Sequence, residues 1–157
     1  MINMKQFRDH VMVPILRLYG LNSPSAVELL MHTIAQESQG QHLCQIGGGP
    51  ARGLYQMEVD TLHDLLNQLR QYHPKKWSQL TGCCGRDIEA CDALTWNLGY
   101  QTLACRLQYW RYPQALPDLG DVDGMWHYYK TYWNTPKGAA TRTEFDRNWQ
   151  RMEKELN

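Results

Sequence analysis

A carboxylic acid at the flank of an apolar helix face can keep its proton near neutral pH, and Glu37 occupies such a place. Val27, Leu30, Met31 and Ile34 recur at helical spacing. With the side-chain periodicity of an α-helix, Glu37 projects beside Leu30 at the edge of that stripe. It also lies near the C-terminal end of the helix, where the dipole disfavours negative charge. Partial burial and the dipole would both raise its pKa. An acid protonated at that pH can hand its proton to a leaving oxygen, as cleavage of a glycosidic bond requires. Helix geometry alone also fits an exposed glutamate in the last turn before a loop, and on those grounds the exposed reading is the simpler.

The elements that must position Glu37 read as helices almost throughout, and strand signals are nearly absent. Phe7, Val11, Ile15 and Leu18 form a first stripe, with Pro14 as a candidate kink. Ser23-Pro24 is a cap followed by proline at the first helical position, and opens the helix bearing Glu37. Leu62, Leu65, Leu66 and Leu69 mark a third helix, with Pro74 soon after its end. A long central helix is expected from about Asp87 to Trp110, with Ile88, Cys91, Leu94, Leu98, Thr102, Cys105 and Tyr109 along one stripe. Asp121 or Asp123 caps a short aromatic helix containing Met125, Trp126, Tyr129 and Trp133. Thr141 with Glu144 reads as a capping box before a last helix carrying Phe145, Trp149, Met152 and Leu156. The runs Gly47-Gly48-Gly49-Pro50 and Tyr112 to Gly120 read as loops.

Glu37-Ser38, a glycine-containing loop and Gly53-Leu54-Tyr55-Gln56 resemble the signature of the lytic transglycosylase and goose-type lysozyme superfamily. Thr61 falls where that family often has threonine, and Tyr128-Tyr129-Lys130-Thr131-Tyr132-Trp133-Asn134-Thr135 resembles its later Tyr-Asn segment. The stretches Gly49 to Glu58 and Trp133 to Gly138 look like small phage-encoded members. Val59 stands where the family usually has proline, and the Ala-Gly that usually follows the Tyr-Asn pair is missing after Asn134. The resemblance implies an all-α, single-domain, lysozyme-like fold over residues 1–157 with a substrate cleft. It implies cleavage of peptidoglycan between N-acetylmuramic acid and N-acetylglucosamine, with Glu37 as the catalytic acid and then base. On the same grounds Ser38 would bond the substrate or orient the Glu37 carboxyl. Gly53 would let the backbone approach a sugar or the helix of Glu37, and Tyr55 would belong to the binding segment. Gln56 would fix an acetamido group or the attacking water, unless it is a turn residue bonding to backbone. Tyr132 or Asn134 would face Glu37 from the opposite wall.

Hydrolysis with inversion needs a second carboxylate roughly 6.5–9.5 Å from the first; Glu58, Asp60 and Asp64 are candidates. A lytic transglycosylase needs Glu37 alone, since the 6-hydroxyl of the substrate closes a 1,6-anhydro ring. His32, His42 and His63 lack HExxH spacing, and no GxSxG elbow or P-loop is present. Neither a metal nor a cofactor is expected.

Composition narrows the partners. The 157 residues suit one domain, and 16 Lys plus Arg balance 16 Asp plus Glu, so the basic excess of a nucleic-acid binder is missing. Neutrality also argues against capture by an anionic membrane, and no apolar run approaches a membrane span. Six Trp and nine Tyr against two Phe suit half-wet surfaces such as those that stack on sugar rings, although the same aromatics can fill a core. The charged N-terminal segment lacks a signal-peptide apolar run, so synthesis in a host cytoplasm and delivery to the wall by another agent are expected. Five cysteines, an odd number, argue against a disulfide scaffold, and the seven-residue step from Cys91 through Leu98 to Cys105 points both sulfurs at a core. Two other classes stay open: a phage structural or adaptor protein that keeps the helical frame without turnover and contacts other virion proteins, and a peptidoglycan-binding module without chemistry.

Overall fold

The helix carrying Glu37 packs against the last helix and against a central helix that is buried over ten consecutive residues, Tyr100 to Tyr109. The computed structural model describes residues 2–85 and 88–157. Its elements in order are α1 (Met4–Phe7), a π-helical turn (Arg8–Met12), α2 (Val13–Leu18) and α3 (Pro24–Glu37). A hairpin of β1 (Ala51–Arg52) and β2 (Met57–Glu58) follows, then α4 (Val59–Tyr72), α5 (Pro74–Cys84), α6 (Ala90–Trp96) and α7 (Leu98–Trp110). The chain closes with α8 (Val122–Tyr129), a second π-helical turn (Lys130–Asn134) and α9 (Arg142–Leu156). The fold is all-α apart from the antiparallel hairpin, in which Ala51 faces Glu58 and Arg52 faces Met57. That hairpin carries no period long enough to show in the sequence.

Local chemistry explains most of the boundaries. Ser23 accepts a hydrogen bond from the Ala26 amide, with Pro24 at the first helical position of α3. Asp121, not Asp123, caps α8 by accepting from the Gly124 amide. The Thr141–Glu144 capping box opens α9. Proline at 74 starts α5 rather than merely ending α4, and α5 is a helix that the apolar spacing did not announce. Val59 begins α4 at the position where proline would also be accepted.

Two expectations fail for identifiable reasons. The long helix is two: Asn97 ends α6, accepts from the Tyr100 amide at 2.9 Å and donates to the Cys83 carbonyl at 3.1 Å. Its short amide competes with the helical ladder, while the apolar stripe runs on past it. The expected start at Asp87 lies outside the described residues. Cys105 is buried on α7, whereas Cys91 on α6 is only half-buried. In the first segment, the buried face is Met4, Phe7, Met12 and Leu16, and Leu18 is 71% exposed. The Val13 amide bonds back to the Arg8 carbonyl, one residue further than in an α-helix, and Pro14 has no amide to restore the regular ladder. The extra residue shifts the buried stripe. Buried residues from α1 to α9 form a single apolar cluster.

Candidate active site

Glu37 is the last residue of α3, and two flanking hydrogen-bond systems fix that helix end. On one side, the Ser38 hydroxyl donates to the Leu54 carbonyl at 2.6 Å and accepts from the Gly40 amide at 3.1 Å. Leu54 in turn donates from its amide to Gln101 Oε1 of α7 at 2.8 Å. On the other side, Asn148 of α9 donates to Gln36 Oε1 at 3.0 Å and accepts from Gln39 Nε2 at 3.4 Å. The acid is thereby clamped between the hairpin turn and the last helix.

Tyr129 at the end of α8 donates to Glu37 Oε1 at 2.6 Å. Burial pushes the Glu37 carboxyl up to about 7, while the Tyr129 hydrogen bond pulls it down. Desolvation wins because the single neutral donor replaces only part of the lost hydration. With Oε1 engaged as an acceptor, the proton of the neutral acid belongs on Oε2.

Two cavities meet at this carboxyl. One, of about 310 Å³, is lined by Glu37, Gln56, Glu58, Gln108, Trp133 and Asn134, among others. The second, of about 300 Å³, is lined by Glu37, His42, Gln45, Ile46, Gln56 and Glu58, among others. Glu37, Gln56 and Glu58 are common to both. Gln56 also donates from Nε2 to the Gly53 carbonyl at 2.8 Å, so it is both a turn residue and a wall residue.

The wall opposite α3 is built by the π-helical turn. Lys130 donates to Asn134 Oδ1 at 2.6 Å, to the Gly138 carbonyl at 2.7 Å and to the Ala140 carbonyl at 3.1 Å. Because lysine only donates, the Asn134 oxygen must face it. A side chain at Gly138 would run into the Asn134 carbonyl, with a Cβ only 2.2 Å away. Among the described residues the non-glycine positions with positive φ are Gln39 (53°), Gln56 (49°) and Thr135 (64°). Two of them line the larger cavity and the third follows Ser38. Such backbone costs about 1–3 kcal/mol per residue and concentrates where function overrides relaxation.

Several sequence-derived assignments change. Ser38 is buried and spends its hydroxyl on backbone groups, not on the Glu37 carboxyl. Tyr55 is in the core with its hydroxyl 3.1 Å from Thr102 Oγ1, facing no cavity. Gly53 (φ 75°) permits close approach to α6 and α7, where a Cβ would lie 2.4 Å from the Leu94 carbonyl, rather than to α3. Tyr132 packs on Tyr112 and Tyr128 and is replaced at Glu37 by Tyr129. Asn134 lines the larger cavity beside Glu37. Of the second carboxylates, Glu58 lines both cavities and Asp60 is exposed on the first turn of α4, while Asp64 pairs with Arg111 at 2.6 Å. His32 is buried between α3 and α9, His42 lines the second cavity and His63 is exposed. Trp133 and Thr135, within the segment that resembles the Tyr-Asn stretch, line the larger cavity with Asn134. Gln108 also lines it, and no local spacing distinguishes that residue from core. Tyr129 was legible as a stripe residue of α8; its contact with Glu37 was not.

Comparisons of the chain with protein-family models, with curated proteins and with solved structures match nothing, so the case for its chemistry rests on these residues and their geometry.

Proposed function

We infer that this protein cuts peptidoglycan glycan strands between N-acetylmuramic acid and N-acetylglucosamine, using Glu37 as general acid and then base. The observation that carries this reading is a carboxyl held near pKa 7 at the junction of two cavities. A polymer cut in its interior must lie on both sides of the acid, one sugar retained and one leaving. The polar walls supplied by Gln56, Asn134, Gln45 and Glu58 suit hydroxyls and acetamido groups. The choice of peptidoglycan comes from the resemblance of Glu37-Ser38 and Gly53 to Gln56 to the transglycosylase and goose-type lysozyme signature, as does the lysozyme-like frame.

In the single-acid route, Glu37 Oε2 gives its proton to the glycosidic oxygen as the C1–O bond breaks. The resulting carboxylate then takes the proton of the muramic acid 6-hydroxyl as that oxygen closes on C1, which regenerates the acid and leaves a 1,6-anhydro product. In the hydrolytic route, water replaces the 6-hydroxyl and Glu58 is the carboxylate on the shared wall. Tyr129 holds Oε1, and Gln56 and Asn134 bind substrate. Action at the bacterial wall, with delivery by a phage particle or through a holin, completes the proposal.

The test is to incubate wild type and Glu37→Gln with purified peptidoglycan and identify released muropeptides by mass spectrometry. Anhydro-muropeptides from wild type alone are expected. Reducing ends would make the protein a lysozyme and direct attention to Glu58. For either product the rate should fall as pH rises through about 7, where Glu37 loses its proton. No release by a folded wild type would overturn the enzyme reading in favour of a structural phage component.

A further inference from the structure

The face of α7 that carries Arg106 holds a cation without a counter-ion. Arg106 is 9% exposed, and the hydrogen bond found for it runs from Nε to the Leu21 carbonyl at a long 3.4 Å. Among the described residues no carboxylate pairs with it. Burial outweighs its neighbours and holds its pKa below the ordinary arginine value. Two other cations lie close by. Arg111, 5.4 Å from the centre of the Tyr112 ring, is already paired with Asp64. Lys76 sits 5.6 Å from the centre of the Trp110 ring, its pKa lowered by burial and then by the charges of Lys75 and Arg106. A buried guanidinium keeps its charge at any accessible pH, so the cost of desolvating it stands until an anion arrives.

The space for that anion is present. Arg106 lines a cavity of about 400 Å³ with Tyr109, Trp110, Tyr112, Gln114 and Tyr128, and no acidic side chain is among its lining residues. The aromatic walls are rigid: Tyr132 braces Tyr112 at 4.4 Å and Tyr128 at 4.6 Å between ring centres, and the Tyr128 hydroxyl donates to the Gln114 carbonyl at 3.0 Å. This cavity shares no lining residue with the two at Glu37; Tyr109 on its wall packs against Trp133 on theirs.

We propose that Arg106 and the surrounding tyrosines form a second ligand site, which takes a carboxylate carried on a flat, apolar group. The planar guanidinium offers paired N–H donors that match a carboxylate, and the rings accept a flat body behind it. Phosphate, hydrated and without an apolar body, would forgo the aromatic contacts. The site stands apart from the glycan-cleaving reading and does not depend on it.

The experiment is calorimetric titration of the full-length protein with sodium benzoate, sodium acetate and inorganic phosphate, repeated on Arg106→Met and Glu37→Gln. Saturable benzoate binding at one site is expected, with acetate and phosphate weaker. Arg106→Met should weaken benzoate by roughly tenfold or more, the value of a charge-assisted hydrogen-bonded pair. Glu37→Gln should bind benzoate as wild type does, whatever the peptidoglycan assay gives. Since Met removes an unpaired buried charge, Arg106→Met should also melt at or above the wild-type temperature in ligand-free buffer, which shows that it is folded. Benzoate binding unaffected by Arg106→Met, phosphate binding tighter than benzoate, or no saturable binding to wild type would each overturn the proposal.

Discussion

Glu37 is a residue whose usefulness and whose cost have one cause. Desolvation lifts its pKa from 4.5 to about 7, so the folded protein holds a proton there that the unfolded chain releases. Below about pH 4.5 both states are protonated and the contribution to stability is complete. As pH rises, the unfolded chain ionises first, and stability declines until the folded carboxyl also ionises near 7. The full loss is on the order of 3 kcal/mol. Glu37→Gln keeps an oxygen for Tyr129 to donate to but cannot ionise. Chemical denaturation should therefore show the variant close to wild type at pH 4 and more stable by up to about that amount at pH 8. A difference that does not change with pH would mean that the carboxyl is not desolvated.

At the scale of elements, the second π-helical turn and the loop after it form the wall opposite Glu37, and Lys130 is what keeps them together. Its ammonium satisfies acceptors on Asn134, Gly138 and Ala140, while Thr135 between them is held at φ 64°. Lys130→Met removes all of these donors and keeps the aliphatic stem. Partly buried acceptors left unpaired cost about 1–3 kcal/mol. The expected outcome is a loss of that size in denaturant unfolding, with faster amide exchange confined to residues 135–140. Unchanged exchange there would show that the turn holds its shape without the lysine. The two π-helical turns also share a lesson. Each adds a residue to a helical stretch and so moves every later side chain around the axis. After the first, Leu18 turns to solvent. Tyr132 within the second packs on Tyr112 and Tyr128, while Tyr129, at the end of α8 before it, faces the acid.

For the whole molecule, the α3–α9 contact sets the acid limit. His32 is 1% exposed, stacked between Phe145 at 4.8 Å and Trp149 at 3.6 Å, with neither ring nitrogen hydrogen-bonded among the described residues. Glu28, 4.0 Å away, is the carboxylate facing it. Burial lowers the His32 pKa from 6.5 to about 3. The neutral ring thus contributes stability that is complete above 6.5 and is lost as pH falls towards 3, because the unfolded chain takes up the proton first. The total is on the order of 5 kcal/mol. His32→Phe keeps the stack without a titrating group. It should cost little at pH 7 and flatten the acid limb of stability between pH 6.5 and 3, read from thermal melts across that range. An acid limb as steep as that of wild type would place the sensitivity elsewhere. Glu37 and His32 push stability in opposite directions as pH changes, so their effects offset between about 4.5 and 6.5.

The sequence by itself determined what depends on neighbours a few positions apart. Ser23-Pro24 and Thr141 with Glu144 start their helices as read, because a cap is a contact between residues three apart. The stripes of α3, α4 and α9 face the core as their period predicted, because apolar periodicity is the instruction for packing. Leu30, Met31, Ile34, Leu62, Leu65, Leu69, Phe145 and Met152 are buried, and Val27, Leu66, Trp149 and Leu156 are half-buried at the edges. Glu37 was legible as an acid at a helix end, but helix geometry alone favoured an exposed side chain, and its raised pKa came with the burial that the fold imposes. The break at Asn97 lay within reach of the same rules but was masked by an apolar stripe that continues across it. Only the tertiary structure decided what faces the acid. Tyr129 reaches Glu37 across 92 positions of chain, Ser38 ties the end of α3 to the Leu54 carbonyl, and Gly53 lets the hairpin approach α6 and α7. Arg106 became notable only once its surroundings proved to hold no carboxylate. These are meetings between distant segments, set by how helices pack, and no local spacing encodes them.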